Sequence, residues 1–238
     1  QRMIEEKRER VEAFDVIRGV MILLMVFYHL LFDLVHLAGL PSWILYNPLL
    51  NVCQPIGAGI FIIMSGAMSR YSRSNLKRGG KLLLVAIIVT MVTSIIGSAI
   101  LFGILHFLAV ASILYALMSR YLEKIPFKIQ PFLYGVLTAV SAVIVNTSTI
   151  RSDILWFFGF PGKTLTSADY FPLLPWIFVF LFGTWFGKTS QEKKLPDWFY
   201  NIKNNFFAKC GRYSLYIYLA HQPVLYALFT IPSLFNKL

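Results

Sequence analysis

The chain has 238 residues, of which 57% are hydrophobic, 16% are aromatic and only 14% are charged. A soluble domain of ordinary composition carries about 25% charged residues, so this composition excludes a typical soluble protein. It predicts instead one integral membrane domain that occupies residues 1–238.

Seven apolar segments follow one another along the chain, and each reaches or approaches the roughly 20 residues that a membrane-spanning helix needs. They lie at about residues 14–37, 49–69, 82–100, 104–120, 129–147, 170–187 and 212–230. The sequence therefore predicts an all-α fold, a polytopic membrane helix bundle with about seven transmembrane helices. Residues 1–13 are expected to form a cytoplasmic juxtamembrane helix and residues 148–169 an external loop. The aromatic run Ile154–Phe160 in that loop is either an interfacial anchor or a lid.

The basic residues lie almost entirely on one side of this seven-span arrangement. That side holds the clusters Arg2–Arg10, Arg70–Lys81, Arg120–Lys128 and Lys188–Arg212, whereas the opposite loops hold only Arg151, Lys163 and Lys237. Cytoplasmic loops are enriched in lysine and arginine, so the N-terminus is predicted to be cytoplasmic and the C-terminus external. The net charge of +11 is thereby attributed to topology and to anionic lipid, not to nucleic acid.

Motifs for the common cofactors do not occur in the sequence. No Cys/His spacing suits a zinc site, and there is neither a P-loop nor a GxGxxG motif. The two cysteines, Cys53 and Cys210, fall near opposite membrane faces in the seven-span arrangement, so no disulfide is predicted. No metal is expected.

The first predicted span carries an unusual number of ionisable side chains. The segment FDVIRGVMILLMVFYHLLFDLVHL contains five of them at helical spacing, namely Asp15, Arg18, His29, Asp33 and His36. Ionisable groups are costly in hydrocarbon and usually face a bundle interior or a functional pathway. The sequence therefore predicts a polar site inside the membrane, although Asp15 and Arg18 are more simply explained as a structural ion pair.

Three further polar residues are expected at a related depth. At 1.5 Å per residue, His29 lies past the membrane midplane on the outer side, and Asp33 lies one turn further out. His106 enters from the same side, Asp169 precedes the sixth span there, and His221 lies near mid-membrane. A single buried histidine is more often a hydrogen-bonded part of the core than a catalyst, so both interpretations are open for His36 and His221. Asp33 could fix the tautomer of His29 and raise its basicity.

Five segments of the chain carry a resemblance to a known family. In order, AFDVIRGVMILLMVFYHLLFDL, FIIMSG, FGILHFLA, DYFPLLPWIFVFLFGTWFG and GRYSLYIYLAHQPVL resemble bacterial members of the heparan-alpha-glucosaminide N-acetyltransferase catalytic-domain family, over roughly residues 12–230. The resemblance implies a multi-pass acyltransferase of the bacterial inner membrane. It would move an acyl group, in the first place acetyl, from cytosolic acyl-CoA to a hydroxyl or amine of an extracytoplasmic sugar or glycan.

The resemblance does not carry over the acceptor, because the catalytic histidine of the lysosomal enzyme lies in its first loop. The corresponding loop here, Ala38–Asn51, contains no histidine. The catalytic assignment is therefore His29 as general base with Asp33 orienting it, and His106 as a second base or an oxyanion donor.

Other site residues complete the interpretation as an acyltransferase. Asp169, Trp176 and His221 are expected to bind the acceptor. The phosphates of acetyl-CoA, the donor substrate, are assigned to Arg18, Arg70, Arg73, Lys77 and Arg78. The partners are thus acyl-CoA, a sugar or glycan acceptor and the lipid bilayer, and a homodimer is left open.

Two interpretations from other classes are also open. A small proton-coupled membrane transporter would use His29, Asp33, His106 and His221 as a proton relay. Haem ligation would need two histidines on neighbouring helices at equal depth.

Overall fold

The computed structural model describes residues 11–203 and 205–235, with side chains described as far as residue 229. Within these residues the regular elements are helices, joined by turns and by isolated bridges between Phe102 and Tyr170 and between Ser152 and Pro161. The helices are α1 (Glu12–His36), α2 (Pro48–Ser69), α3 (Asn75–Ile95), α4 (Ile104–Leu122), α5 (Gln130–Thr147), α6 (Leu173–Gln191), α7 (Asp197–Tyr200), α8 (Phe206–Arg212) and α9 (Ser214–Phe235). The predicted juxtamembrane helix lies, up to residue 10, outside the described residues.

Five of these helices, α1 to α5, are long and apolar enough to cross a membrane. This is the pattern of a multi-pass membrane protein, and it confirms the all-helical fold predicted from the sequence. Helices α6 and α9 occupy the positions of the sixth and seventh predicted spans and contain 19 and 22 residues. The total of seven spans and the cytoplasmic N-terminus stay predictions.

The third helix differs most from its predicted boundaries. It begins at Asn75 rather than at residue 82, because the Ser74 side chain caps it by accepting from the backbone N–H of Lys77. It ends at Ile95, and Gly97 then adopts a positive φ of 79° that stops the helix. The basic residues Lys77 and Arg78 therefore lie on a helix and not in a loop.

The described chain divides into two compact units. The terminal unit comprises the residues up to Met64 together with those from Leu195, and the central unit comprises Ser65–Lys194. Helix α2 runs across the boundary, so its last turn belongs to the central unit.

In the terminal unit, α1 packs against α8 and α9. The first of these contacts is backbone to backbone, because a Cβ atom at Gly19 would overlap the carbonyl oxygen of Phe207, and one at Gly211 would overlap that of Asp15. Small residues at such crossings let membrane helices approach closely and gain van der Waals contact. This packing places the polar face of α1 beside α9.

In the central unit, α3 packs against α4, α5 against α6, and α4 against α6. Phe107 on α4 and Phe180 on α6 are fully buried in its core. The last turn of α2 approaches α6 closely, because a Cβ at Gly187 would lie 2.5 Å from the carbonyl oxygen of Ala67. The short connection between Ile95 and Ile104 brings the end of α3 beside the start of α4, where His106 lies.

Candidate functional site

The imidazole of His106 is held in one tautomer by a threonine on the neighbouring helix. The Thr90 hydroxyl donates its only proton to the carbonyl oxygen of Ile100 at 2.5 Å. It must therefore accept from Nε2–H of His106, which lies 3.1 Å away. This leaves Nδ1 of His106 as an unprotonated nitrogen that is buried and has no hydrogen-bond partner among the described residues. Such a nitrogen is poised to accept a proton.

The start of α4, which carries His106, is fixed by the loop that precedes α6. The Asp169 carboxylate accepts from the backbone N–H of Ile104 at 3.0 Å, and Phe171 N–H donates to the carbonyl oxygen of Phe102 at 2.8 Å. A carboxylate at a helix N-terminus satisfies an otherwise unpaired donor and complements the helix dipole. Asp169 thus holds the helix that presents His106.

Aromatic side chains surround this part of the central unit. Phe102 stacks on His106 with ring centroids 6.0 Å apart, and Trp156 meets Phe102 edge-on at 5.8 Å. Trp176 lies on α6 beside Phe171, at 5.4 Å between centroids. The run Ile154–Phe160 forms a short 3-10 turn at residues 156–158, and Ile154 is 77% exposed.

The other predicted histidine, His29, lies in the terminal unit within a cluster of four polar side chains. Its ring centroid is 4.8 Å from that of His221 on α9. The Asp33 carboxylate, which is 3% exposed, accepts from the side-chain amide of Gln222 at 3.2 and 3.3 Å. The structure therefore pairs Asp33 with Gln222 on α9, and not with His29 one turn away.

His36 is a fully engaged histidine on the same helix. Its Nδ1 donates to the Phe32 carbonyl oxygen at 2.9 Å, and the Tyr46 hydroxyl contacts its Nε2 at 3.4 Å. Both ring nitrogens have partners and the ring is exposed, which favours the structural interpretation of His36 and makes it a suitable control.

Three of the arginines assigned to phosphate binding are engaged with protein groups. Arg78 donates to the hydroxyls of Ser65 and Ser69 at 2.7 and 3.0 Å. Arg18 donates to the Ser214 hydroxyl at 2.6 Å and lies 3.7 Å from Asp15. The Ser65, Ser69 and Ser214 contacts join neighbouring helices, whereas the contact between Asp15 and Arg18 is the predicted ion pair within α1.

Arg70 takes part in a three-residue ion network with Glu123 and Lys188. Arg70 contacts one carboxylate oxygen of Glu123, and Lys188 Nζ lies 2.7 Å from the other. Partial burial alone would raise the pKa of the Glu123 carboxyl, but the hydrogen bonds and charges of Lys188 and Arg70 outweigh it and lower the pKa. This network joins the end of α2 to α4 and α6.

Arg73 and Lys77 are different, because both side chains are exposed. They flank the N-terminus of α3, where backbone N–H groups also favour an anion. Among the proposed phosphate ligands, these two are the most available to a ligand. No group of three or more His, Cys, Asp or Glu side chains within the described residues is arranged to hold a metal ion.

The predicted residues are divided between the two units. His106, Asp169 and Trp176 lie in the central unit with Arg70, Arg73, Lys77 and Arg78, whereas His29, Asp33 and His221 lie in the terminal unit with Arg18. Sequence reasoning missed Thr90 and Gln222, since a hydroxyl or amide in an apolar helix gives no signal of its own.

The sequence matches the model of the family described as "Heparan-alpha-glucosaminide N-acetyltransferase, catalytic" over residues 10–223. No curated protein and no solved structure matches the chain. The family match covers most of the chain and confirms the resemblance carried by the five segments. The chain belongs to the heparan-alpha-glucosaminide N-acetyltransferase catalytic family, whose name denotes acetyl transfer.

Proposed function

We propose that this membrane protein transfers an acetyl or related acyl group from cytosolic acyl-CoA to a hydroxyl or amine of an extracytoplasmic sugar or glycan. Family membership supports the acetyl transfer, and the buried, unpaired Nδ1 of His106 is the observation that carries the chemistry. The proposal places the protein in the bacterial inner membrane with its N-terminus in the cytoplasm.

The base chemistry follows from the tautomer of His106. Nδ1 accepts the proton of the acceptor O–H or N–H group as that atom attacks the thioester carbonyl carbon. The C–S bond then breaks, and the proton passes to the departing CoA sulfur. Thr90 has a positioning role, because its contact with Nε2–H keeps the proton off Nδ1 until the reaction begins.

The donor site is proposed at the opposite end of α3. Thirteen residues separate Lys77 from Thr90, which corresponds to about 20 Å along a helix. A donor held there by its phosphates needs a long, flexible arm to bring its thioester to His106, and acyl-CoA has such an arm. Arg73 and Lys77 would bind the phosphates, while Arg70 and Arg78 maintain the helix ends around them. Arg18, in the terminal unit, holds α1 to α9 through the Ser214 hydroxyl.

The cytoplasmic assignment of that end rests on the distribution of charge in the central unit. The start of α3, the end of α4, the start of α5 and the end of α6 all carry basic residues. They are Arg73, Lys77, Arg78, Lys81, Arg120, Lys124, Lys128, Lys188, Lys193 and Lys194. Because successive spans alternate in direction, these four ends belong to one membrane face. The acceptor would then meet His106 from the external side, with Asp169 and Trp176 beside it.

His29, with Asp33, is the second candidate for the base, and His221 a second candidate for acceptor binding. The decisive experiment compares His106→Ala, His29→Ala and the control His36→Ala in acetyl transfer from labelled acetyl-CoA to glucosamine and to methyl glucoside. We expect His106→Ala to lose at least 100-fold in kcat while His36→Ala keeps wild-type activity. Full activity of His106→Ala would refute the assignment, and loss only in His29→Ala would transfer it to His29.

Donor binding is tested separately by calorimetry of acetyl-CoA with the detergent-purified protein. Neutralising Arg73 and Lys77 to glutamine should weaken binding by about tenfold or more, since charged hydrogen bonds are each worth about 1.5–3 kcal/mol. Arg151→Gln with Lys163→Gln is the matched control, because the two changes remove two exposed charges from the opposite loop. Equal weakening by the control would show that only net charge matters.

A proton-coupled transporter is the second candidate, and the adjacent rings of His29 and His221 favour it. Proton-dependent uptake of a sugar into liposomes without any CoA would establish it. Absence of such uptake, together with acetyl transfer, would exclude it.

A further inference from the structure

The terminal unit holds a group of polar side chains on two packed helices, α1 and α9. We call it the paired-histidine cluster, and it consists of His29 and Asp33 on α1 with His221 and Gln222 on α9. The two imidazole rings are 4.8 Å apart between centroids and tilted by 55°. This is a contact between two titratable groups on different helices.

Both rings present nitrogens that can bind a proton. His221 donates from Nδ1 to the Tyr218 carbonyl oxygen at 2.5 Å, so its Nε2 is the unprotonated nitrogen. That Nε2 is buried and has no hydrogen-bond partner among the described residues. The ring of His29 is partly buried and makes ring contacts with Tyr28 and His221. A buried lone pair therefore lies next to a second, partly buried imidazole.

The Asp33 carboxylate can act as the counter-charge of one added proton. The Asp33 carboxylate is almost wholly buried and is hydrogen-bonded by the neutral amide of Gln222. A buried anion with only a neutral partner attracts a cation. Two protons would repel one another, because unit charges 4.8 Å apart weaken the second binding step by roughly two to three orders of magnitude at an effective dielectric of about 20.

We infer that His29 and His221 form a single proton-binding site that takes up one proton and not two, with Asp33 as its counter-charge. The proton is shared between a ring nitrogen of His29 and Nε2 of His221, so that only N–H bonds form and break. Gln222 is a positioning residue, because it ties Asp33 on α1 to α9. The cluster would give the protein a proton-accepting step inside the membrane that requires neither an acyl donor nor an acyl acceptor.

Few other titratable or charged groups lie near the pair. They are His36 and Tyr28 on α1, Tyr46 in the connection between α1 and α2, and Tyr218 on α9. The charged residues Glu12, Asp15 and Arg18 lie in the first two turns of α1, at least eleven residues from His29, and Arg212 on α8 pairs with Glu12 there. The only carboxylate next to the pair among the described residues is therefore Asp33.

The test is a pH titration of the full-length protein, labelled with ¹⁵N-histidine, in lipid nanodiscs from about pH 4 to 9. The chain has four histidines, so single replacements by glutamine assign every signal. We expect the rings of His29 and His221 to change over the same pH range, each by about half of a full protonation shift. His221→Gln should restore a full shift to His29, and the control His36→Gln should leave the pair unchanged.

The titration of the wild-type protein decides the inference even if a replacement fails to fold. Two full protonation shifts would mean two independent sites, and no shift in either ring would mean no proton site; either result overturns the inference. Asp33→Asn keeps the shape of the side chain but removes its charge. It should move proton uptake by the pair to lower pH, and an unchanged titration would refute the role of Asp33.

Discussion

Replacement of Thr90 by valine tests the proposed role of His106 without touching the imidazole. Valine has nearly the shape of threonine but has no hydroxyl, so Nε2 of His106 loses its partner at 3.1 Å. The ring can then keep its proton on Nε2, where it is buried and unpaired, or move it to Nδ1. In the second form Nδ1 can no longer act as a base.

The size of the effect follows from the cost of the unpaired group. A buried donor without a partner costs about 1–3 kcal/mol, and this is the free energy by which the reactive tautomer becomes disfavoured. At 1.36 kcal/mol per factor of ten, kcat should fall by roughly 5-fold to 150-fold. The KM for acetyl-CoA should not change, because the proposed phosphate ligands lie about 20 Å away along α3.

The assay is acetyl transfer to glucosamine and methyl glucoside, with thermal unfolding measured on the same samples. Thr138→Val is the matched control, since the Thr138 hydroxyl donates to the Tyr134 carbonyl oxygen of its own helix α5 and to no other group that the structure describes. Thr90→Ser should recover most of the activity, because serine restores the hydroxyl. Wild-type kcat in a folded Thr90→Val protein, or an equal loss in Thr138→Val, would refute the reasoning.

Two further predictions concern stability. Gly66→Ala should destabilise the protein by about 1–3 kcal/mol in thermal unfolding, because the new Cβ would overlap the carbonyl oxygen of Phe180. Gly57→Ala is the control on the same helix. Its new Cβ meets nothing within 4 Å, so this change should be neutral or slightly stabilising. Glu123→Gln should lower stability at neutral pH. The folded-state pKa of Glu123 is lowered, so the wild-type advantage is complete above its ordinary pKa of 4.5 and is lost as the pH falls below it. Because Glu123 is exposed in part, salt should reduce this advantage, and a difference that persists in acid would contradict the ion network with Lys188.

The helical fold could be predicted from the sequence because the apolar runs are long and the charges are segregated. Helix boundaries are harder to predict from the sequence, and α3 shows the reason. Hydropathy marks where a helix meets lipid, whereas the backbone of α3 begins at Asn75 under the control of the Ser74 cap. The basic segment between Asn75 and residue 82 is helical although it is too polar to lie in hydrocarbon.

Only the ionisable residues of the candidate site could be predicted from the sequence. His29, Asp33, His106 and His221 stand out because charges are rare in apolar helices. The partner residues do not stand out in this way, because a neutral side chain such as that of Gln222 resembles many others in the chain. Helical spacing also paired Asp33 with His29, yet the carboxylate bonds Gln222, which lies 189 positions away in sequence.

The two histidine sites differ in the contacts of their ring nitrogens, so their variants are expected to behave differently. His106 has one nitrogen engaged and the other open, which suits a group that must hold its tautomer and accept a proton within each catalytic cycle. Among the described residues His29 makes ring contacts with Tyr28 and with another imidazole, which suits a group that exchanges protons with a neighbour. A base in the central unit should lose its function when no hydrogen bond fixes its tautomer, as in Thr90→Val. A proton site in the terminal unit should be insensitive to that change and respond to Asp33→Asn, so the two substitutions together separate catalysis from proton binding.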